Sequence, residues 1–388
     1  MQNKLDKKIV ILGSTGSVGK QTVEVAADLG AQVLALAGAR SVATMEEQAR
    51  FLKPEFCVMS DEKSAADLKI RLADTETKVC SGKTAINEAA SLEKADIIFN
   101  SIGQSAGLEP TLSALNAGKT LALANKESIV MAGEIVMRLA AEKNAKIIPV
   151  DSEHSAIFQC LEGQDRASVK SILLTASGGP FFGKTKDELK NITPSQALAH
   201  PTWKMGPKIT IDSSTLMNKG FEVIEAMYLF DINPENIQVV IHRESIIHSM
   251  VEYNDNAIIA QLSKPDMRLC AQYAMTYPRR VAGLMGRLDL TELGKLTFFK
   301  PDYETFPLLK LAIECAKQGG TMTAALNSAD EVAVSQYLEG FIGFNDIPSV
   351  VEKAVEKCIN IQNPEIDDIY EVSRQAMQEA AAICKSLH

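Results

Sequence analysis

The sequence has no C-x-x-C pair among its seven cysteines, which are odd in number and scattered from Cys57 to Cys384. That spacing excludes a disulfide frame and a thiolate zinc site, and it points to a reducing compartment. No Lys/Arg block exceeds a few residues and the formal net charge is −9. Such a chain repels a polyphosphate backbone, so nucleic acid is not an expected partner and any anion has to be caught locally. No apolar run reaches spanning length, so no membrane partner is expected either. The opening Met1 to Lys8 is charged and lacks the ordered regions of a secretory signal, which leads to a cytoplasmic expectation; a mature organellar chain would read the same way. Internal repeats and low-complexity tracts are also missing.

What is present is the usage of a packed globular protein. Hydrophobic residues make up 46% and charged residues 23% of 388 positions, a length that implies two or three domains. From residue 8 to 150, short apolar runs (KIVIL, AQVLALA, EFCVM, ADIIFN, TLALAN, AKIIPV) alternate with stretches of helical period. This alternation predicts an α/β fold, a Rossmann-type domain over 1–150 with a parallel sheet covered on both faces. After Val150, Gly-rich turns sit beside KSILLTAS and the β-rich run from Gln238 to Leu262, which predicts an α+β catalytic domain over 151–276. Residues 277–305 read as a linker. Residues 306–388 are helical in period throughout and predict a C-terminal helical bundle.

The first strand runs straight into Gly13-Ser14-Thr15-Gly16-Ser17-Val18-Gly19, followed by a helix. Glycines there let backbone N–H groups approach a pyrophosphate at a helix N-terminus. The spacing is G-x-x-G-x-x-G rather than G-x-G-x-x-G, and a turn serving only strand–helix packing is the bland alternative. At the end of the second strand, where NAD sites carry an acid for the ribose hydroxyl, stands Ala39-Arg40-Ser41. A guanidinium in that place favours NADP, unless Arg40 is simply a solvated charge.

AKIIPV delivers Asp151-Ser152-Glu153-His154 into a helix-like segment. In an extended stretch, positions i and i+2 face the same way, so Asp151 and Glu153 can offer two carboxylates to one ion. Oxygen ligands without a Cys/His cluster suit Mg²⁺ or Mn²⁺. The same tripeptide also reads as a helix cap. Downstream, Ala176-Ser177-Gly178-Gly179 and the run from Asp212 through Ser213, Asn218 and Lys219 to Glu222 pack hydroxyls, an amide and an ammonium suited to a phosphate monoester. Between them, His200, Trp203 (the only tryptophan) and Met205 lie in a Pro/Gly-bounded stretch. This predicts a loop over 196–207 that covers substrate, or one buried structurally against the second domain.

These segments together resemble the 1-deoxy-D-xylulose 5-phosphate reductoisomerase family: GSTGSVG, Ala124-Asn125-Lys126-Glu127-Ser128, PVDSEHSAIFQ, ASGGPF, the block from His200 to Ala226, and PDMR at Pro265 to Arg268. The resemblance implies metal-dependent rearrangement and NADPH reduction of the sugar phosphate to 2-C-methyl-D-erythritol 4-phosphate. It implies Asp151, Glu153 and Glu222 as metal ligands; Ser177, Ser213, Asn218 and Lys219 at the phosphate; and Lys126 and Ser152 at the reacting end. It implies His200, Trp203 and Met205 in a mobile loop, and Thr15, Gly16, Ser17, Val18, Asn125, Glu127 and Gly206 at the cofactor. Ala39-Arg40-Ser41 departs from the Gly-Lys/Arg-Asn the family often shows. A homodimer is common for the family. Two other readings stay open on residues alone: an NADP oxidoreductase without rearrangement, and a non-catalytic NADPH sensor. His242 and His248 would share one strand face if that strand were regular, and read as structural histidines.

Overall fold

The structure, a computed structural model, describes residues 5–203 and 205–387. Met1 to Lys4, at the start of the charged N-terminal segment, and Lys204, within the 196–207 loop, lie outside the described residues, as does His388. The chain folds into two compact units. The first comprises 1–128, 136–155 and 266–286; the second comprises 129–135, 156–265 and 287–388.

The first unit is built on a seven-stranded sheet: β1 (Lys8–Leu12), β2 (Gln32–Gly38), β3 (Phe56–Met59), β4 (Lys78–Ser81), β5 (Ile97–Asn100), β6 (Thr120–Leu123) and β7 (Ile147–Pro149). All pairings are parallel, in the order β4-β3-β2-β1-β5-β6-β7. Helices cover both faces, which is why β1 and β2 read as unbroken apolar runs; Ile9, Val10, Ile11 and Leu12 have no exposed surface. The strand order reverses at β1, so the crevice beyond the C-terminal ends of β1 and β5 is the place where such sheets bind ligands.

The second unit carries a four-stranded sheet of β8 (Val169–Ala176), β9 (Ile237–Ile241), β10 (Ile247–Tyr253) and β11 (Ile258–Leu262), ordered β11-β10-β8-β9. β8 pairs parallel with β9 and antiparallel with β10, and β11 is an edge strand. Helices Pro307–Gln318, Met322–Leu338, Asp346–Glu356 and Ile366–Ser386 belong to this same unit. Helix Met217–Phe230 packs on Pro307–Gln318 so closely that a Cβ at Gly220 would stand 2.5 Å from the Cβ of Ala312. Phe221, Leu308, Leu309, Tyr337, Val351 and Ala376 share one core with the sheet residues. Among the described residues, no helix is long and apolar enough to cross a membrane.

The contiguous boundaries expected at 150, 276 and 305 therefore give way to an interleaved division. Residues 266–286 return to the first unit: helix Met267–Thr276 lies on helix Ser17–Asp28, Arg268 reaches to 3.5 Å from Glu24, and Lys7 Nζ donates to the carbonyl of Met275 at 3.0 Å. The helical period shows that this segment has a buried face but not which sheet it covers. The C-terminal helices complete the second unit's core instead of forming a separate domain. Strand β4, with helices Gly82–Ala90 and Leu108–Asn116, is not foreseen by periodicity. β4 is only four residues long and none of them is fully buried, so its pattern is faint.

Candidate active site

In the first unit the turn after β1 is shaped by close backbone approaches. Gly13 has φ +77, and a Cβ there would lie 2.6 Å from the carbonyl of Ser101, just past β5. A Cβ on Gly19 would lie 2.1 Å from the Gly13 oxygen, so helix Ser17–Asp28 can approach the strand only with glycine at this point. Gly16 is the N-cap of that helix and has no side chain to occupy the helix N-terminus, the end that favours an anion. Thr15 sits against Gly38 at the end of β2, where an added Cβ would be 3.0 Å from its Oγ1. These glycines form a cradle that side chains would fill, and it fits a dinucleotide.

Ala39, Arg40 and Ser41 follow β2 directly, as expected, and Ser41 precedes helix Val42–Leu52. The Arg40 side chain is 83% exposed and 3.6 Å from Asp61, a carboxylate that the spacing rule does not anticipate because it comes from the end of β3. Asn125 caps helix Lys126–Glu142 by accepting from Ser128 N at 3.0 Å, and its Nδ2 donates to the Gln104 carbonyl and to Glu127. Gln48, missed in the sequence, is buried beside the glycine turn and donates to the Ser14 carbonyl at 2.8 Å.

Asp151 follows β7, and Ser152 begins helix Ser152–Cys160, with Glu153 in its first turn. The extended-strand argument for pairing Asp151 with Glu153 is thus corrected: the two are brought together by a helix start. Asp151 Oδ1 accepts from Glu153 N at 3.3 Å, and one carboxylate oxygen of each lies within 4.8 Å of the other. Capping and ion binding are therefore compatible here. Lys126 Nζ is 2.6 Å from Asp151 Oδ2, and His154 Nδ1 is 3.0 Å from Oδ1. Burial pushes the Asp151 carboxyl up, but Lys126 and His154 outweigh it and hold it well below the usual range. Ser152 Oγ donates to Glu153. The donors are all oxygen and Asp151 is held in its charged form, a set that fits a hard dication.

The phosphate candidates lie in the second unit. Ser177, Gly178 and Gly179 follow β8; both glycines have positive φ, and a Cβ on Gly179 would stand 2.5 Å from the Ser213 carbonyl, so this loop abuts the Ser213 backbone. Ser213 lies in helix Pro207–Thr215, which Gly206 caps. Leu216, at φ +62, turns the chain into helix Met217–Phe230, where Asn218 Nδ2 donates to Glu222 Oε1 at 2.5 Å and Lys219 pairs with Oε2. Glu222 is buried.

His200 Nδ1 accepts backbone N–H bonds from Thr202 (3.1 Å) and Trp203 (2.9 Å), while Nε2 is 3.0 Å from Ser177 Oγ. Two donors on Nδ1 fix a neutral ring with its proton on Nε2, and burial followed by the Arg243 charge takes its pKa down to about 4. His200 is therefore a hydrogen-bond donor and not a proton acceptor in this arrangement. Trp203 is half-buried and edge-on to His248, with ring centroids 6.2 Å apart, and Met205 is half-buried too. His242 and His248 do not share a regular strand: a turn with Ser245 at φ +50 separates β9 from β10. His242 is buried between the Thr297 carbonyl on Nδ1 and the N–H groups of Ile246 and Ile247 on Nε2, a fully used structural ring. Nothing in the sequence pattern signals a buried triad in which Lys208 Nζ stands 2.7 Å from Asp212 and 2.8 Å from Asp330.

A doubly covered parallel sheet with a glycine cradle at its switch point, and an acid pair at the end of its last strand, defines the class: a Rossmann-type oxidoreductase. Models of 1-deoxy-D-xylulose 5-phosphate reductoisomerase match residues 9–133, and models of its C-terminal domains match 147–230 and 262–379. The curated 1-deoxy-D-xylulose 5-phosphate reductoisomerase of Halothermothrix orenii is 49% identical over 98% of this chain and 99% of its own length. That of Caldanaerobacter subterraneus subsp. tengcongensis is 51% identical over 96% and 98%. Among solved structures, the reductoisomerase from Zymomonas mobilis in complex with NADPH superposes with a TM-score of 0.92 at 40% identity, covering 98% of this chain and 99% of that one. A DOX-P reductoisomerase in complex with NADPH, fosmidomycin and magnesium gives 0.92 at 37%, with the same coverage. The chain belongs to the 1-deoxy-D-xylulose 5-phosphate reductoisomerase family.

Proposed function

We propose that this chain catalyses the metal-dependent rearrangement and NADPH reduction of 1-deoxy-D-xylulose 5-phosphate to 2-C-methyl-D-erythritol 4-phosphate, a step of non-mevalonate isoprenoid precursor synthesis. The observation that carries the reading is the Asp151/Glu153 pair, set at the end of the last strand of a dinucleotide-binding sheet in a chain about half identical to enzymes of that name. Asp151, Glu153 and Glu222 would hold Mg²⁺ or Mn²⁺, which supplies charge stabilisation to substrate oxygens in both chemical steps. NADPH, held by Thr15, Gly16, Ser17, Val18, Arg40, Asn125, Glu127 and Gly206, with Ala39 and Ser41 beside Arg40, supplies the hydride.

The chain's own groups then have separable tasks. Lys126 keeps Asp151 ionised and presents an ammonium to the reacting oxygens, and Ser152 orients Glu153. Ser177, Ser213, Asn218 and Lys219 grip the phosphate, whose binding energy orients the distant reacting carbons. His200 donates from Nε2 without changing protonation near neutral pH, and Trp203 and Met205 exclude water. The enzyme acts in the cytoplasm, consistent with seven free cysteines. It works as a homodimer, supported by edge strand β11, whose Ile258, Ile259 and Leu262 are 52%, 38% and 37% exposed. Light scattering of the wild type and of Ile259→Lys checks this: the variant is expected to fall to half the wild-type mass, and a monomeric wild type refutes the dimer.

NADPH consumption with 1-deoxy-D-xylulose 5-phosphate, with and without added divalent cation, tests the activity. Turnover should require the cation, and Asp151→Asn should remove nearly all of it while the circular dichroism spectrum is kept. Full turnover in Asp151→Asn would sink the proposal.

A further inference from the structure

Arg243 follows β9 and reaches back to the Ser177–Gly179 loop at the end of β8. Its Nη1 donates to the carbonyl of Ser177 and, at 2.8 Å, to that of Gly179, while its guanidinium lies 5.0 Å from the Phe182 ring centroid. The side chain is half-buried, and among the described residues no carboxylate forms an ion pair with it. Its acidic neighbour Glu244 is engaged elsewhere, accepting from Thr297 Oγ1 at 2.7 Å and lying 3.1 Å from His242. A partly desolvated guanidinium without a bound carboxylate calls for an anion.

The loop itself explains what Arg243 does there. Gly178 and Gly179, at φ +77 and +65, let the carbonyls of Ser177 and Gly179 both turn toward Arg243, the side away from an approaching phosphate. A trans peptide whose oxygen faces Arg243 points its N–H the opposite way, so binding the Ser177 carbonyl aims the Gly178 amide away from the guanidinium. The ring of His200, hydrogen-bonded to Ser177 Oγ, also feels the Arg243 charge. Resting on the activity proposed for this site, we propose that Arg243 is a positioning residue for the substrate's phosphate monoester. It clamps the Ser177–Gly179 loop from behind, holding the Ser177 and Gly179 carbonyl oxygens on its own side, where they do not face the dianion.

Arg243→Met, Arg243→Gln and Arg243→Lys separate these roles. In Arg243→Met, KM for the sugar phosphate should rise on the order of ten-fold, with kcat and KM for NADPH changed less than about two-fold. Lysine should recover part of the loss and glutamine less. A general drop in kcat, both KM values and thermal midpoint, equal in all three variants, would mean a purely structural role and overturn the proposal; so would an unchanged sugar-phosphate KM. Inorganic phosphate, followed by calorimetry, reads the same site without turnover. A wild type that binds phosphate but does not consume NADPH with 1-deoxy-D-xylulose 5-phosphate removes the proposed activity and leaves Arg243 to be judged on the phosphate affinity of Arg243→Met. Equal affinity in wild type and Arg243→Met, or no phosphate binding by either, overturns the Arg243 assignment.

Discussion

Replacing Lys208 by methionine keeps the length of the side chain and removes the cation that stands between two carboxylates that are 3% and 0% exposed. Helix Pro207–Thr215 carries Lys208 and Asp212, and helix Met322–Leu338 carries Asp330, so the triad ties the Ser213 helix to the C-terminal helices. Burial already pushes the Asp212 carboxyl well above the usual range; Lys208 pulls it down and Asp330 pushes it up again. Without Lys208, at least one further carboxyl has to be protonated in the fold. From an ordinary value of 3.8, that costs about 4 kcal/mol at pH 7, and roughly 2 kcal/mol at pH 5, at ~1.36 kcal/mol per unit. The first figure falls in the range of about 3–5 kcal/mol found when a buried pair loses one partner.

The sign follows from linkage. An acid whose folded pKa is raised makes the fold bind more protons than the unfolded chain, so the penalty grows as pH rises above 3.8 and shrinks as it falls. Urea unfolding followed by the fluorescence of Trp203, the sole tryptophan and a residue of the second unit, reads the loss where it arises. The deficit should be largest at pH 7–8 and roughly halved at pH 5, and the triple variant Lys208→Met/Asp212→Asn/Asp330→Asn should recover much of it. A loss below about 1 kcal/mol at pH 7, or one that does not change with pH, would refute this account of the triad.

Two further outcomes follow from single residues. Arg40→Ala should raise KM for NADPH about ten-fold and leave KM for NADH within about two-fold, measured with matched substrate; equal effects would remove Arg40 from the 2′-phosphate site. His248, 5% exposed, has its pKa driven down to about 4 chiefly by burial. The unfolded ring binds a proton from about pH 6.5 downward and the folded one does not, so stability is intact above 6.5 and is lost as pH falls toward 4. The loss approaches about 3 kcal/mol for this ring, and it should be missing from the difference curve of His248→Asn.

The dinucleotide half is legible in the sequence because its signals are local. Apolar runs of strand length, glycines at a strand–helix joint and Arg40 just past β2 all act within one βαβ unit, and each stands where periodicity predicts. Residues 266–286 escape the sequence for the opposite reason. Whether the buried face of Met267–Thr276 covers β6 and β7 or the second sheet is decided by contacts such as Lys7 to Met275, some 268 positions apart, and no local pattern encodes that. The same holds for Asp61 beside Arg40 and for Asp330 beside Lys208: each carboxylate has an ordinary helical or capping explanation in sequence, and only the fold supplies its cation.

The acid pair shows how a closeness expected from the sequence can arise by a different geometry. Two carboxylates two positions apart diverge on a regular helix, which is why the sequence argument needs an extended strand. The chain instead places Asp151 just before Ser152–Cys160, where its carboxylate folds over the first turn to accept from Glu153 N. That turn brings the Glu153 oxygens toward the same space, so the cap itself creates the pair. A helix N-terminus attracts acids, and acids fixed there by N–H bonds remain ionised; Lys126, at the start of its own helix, lowers the Asp151 pKa further. The capping interaction and Lys126 therefore give Asp151 a fixed direction and a charge, the two properties a hard cation would need of it.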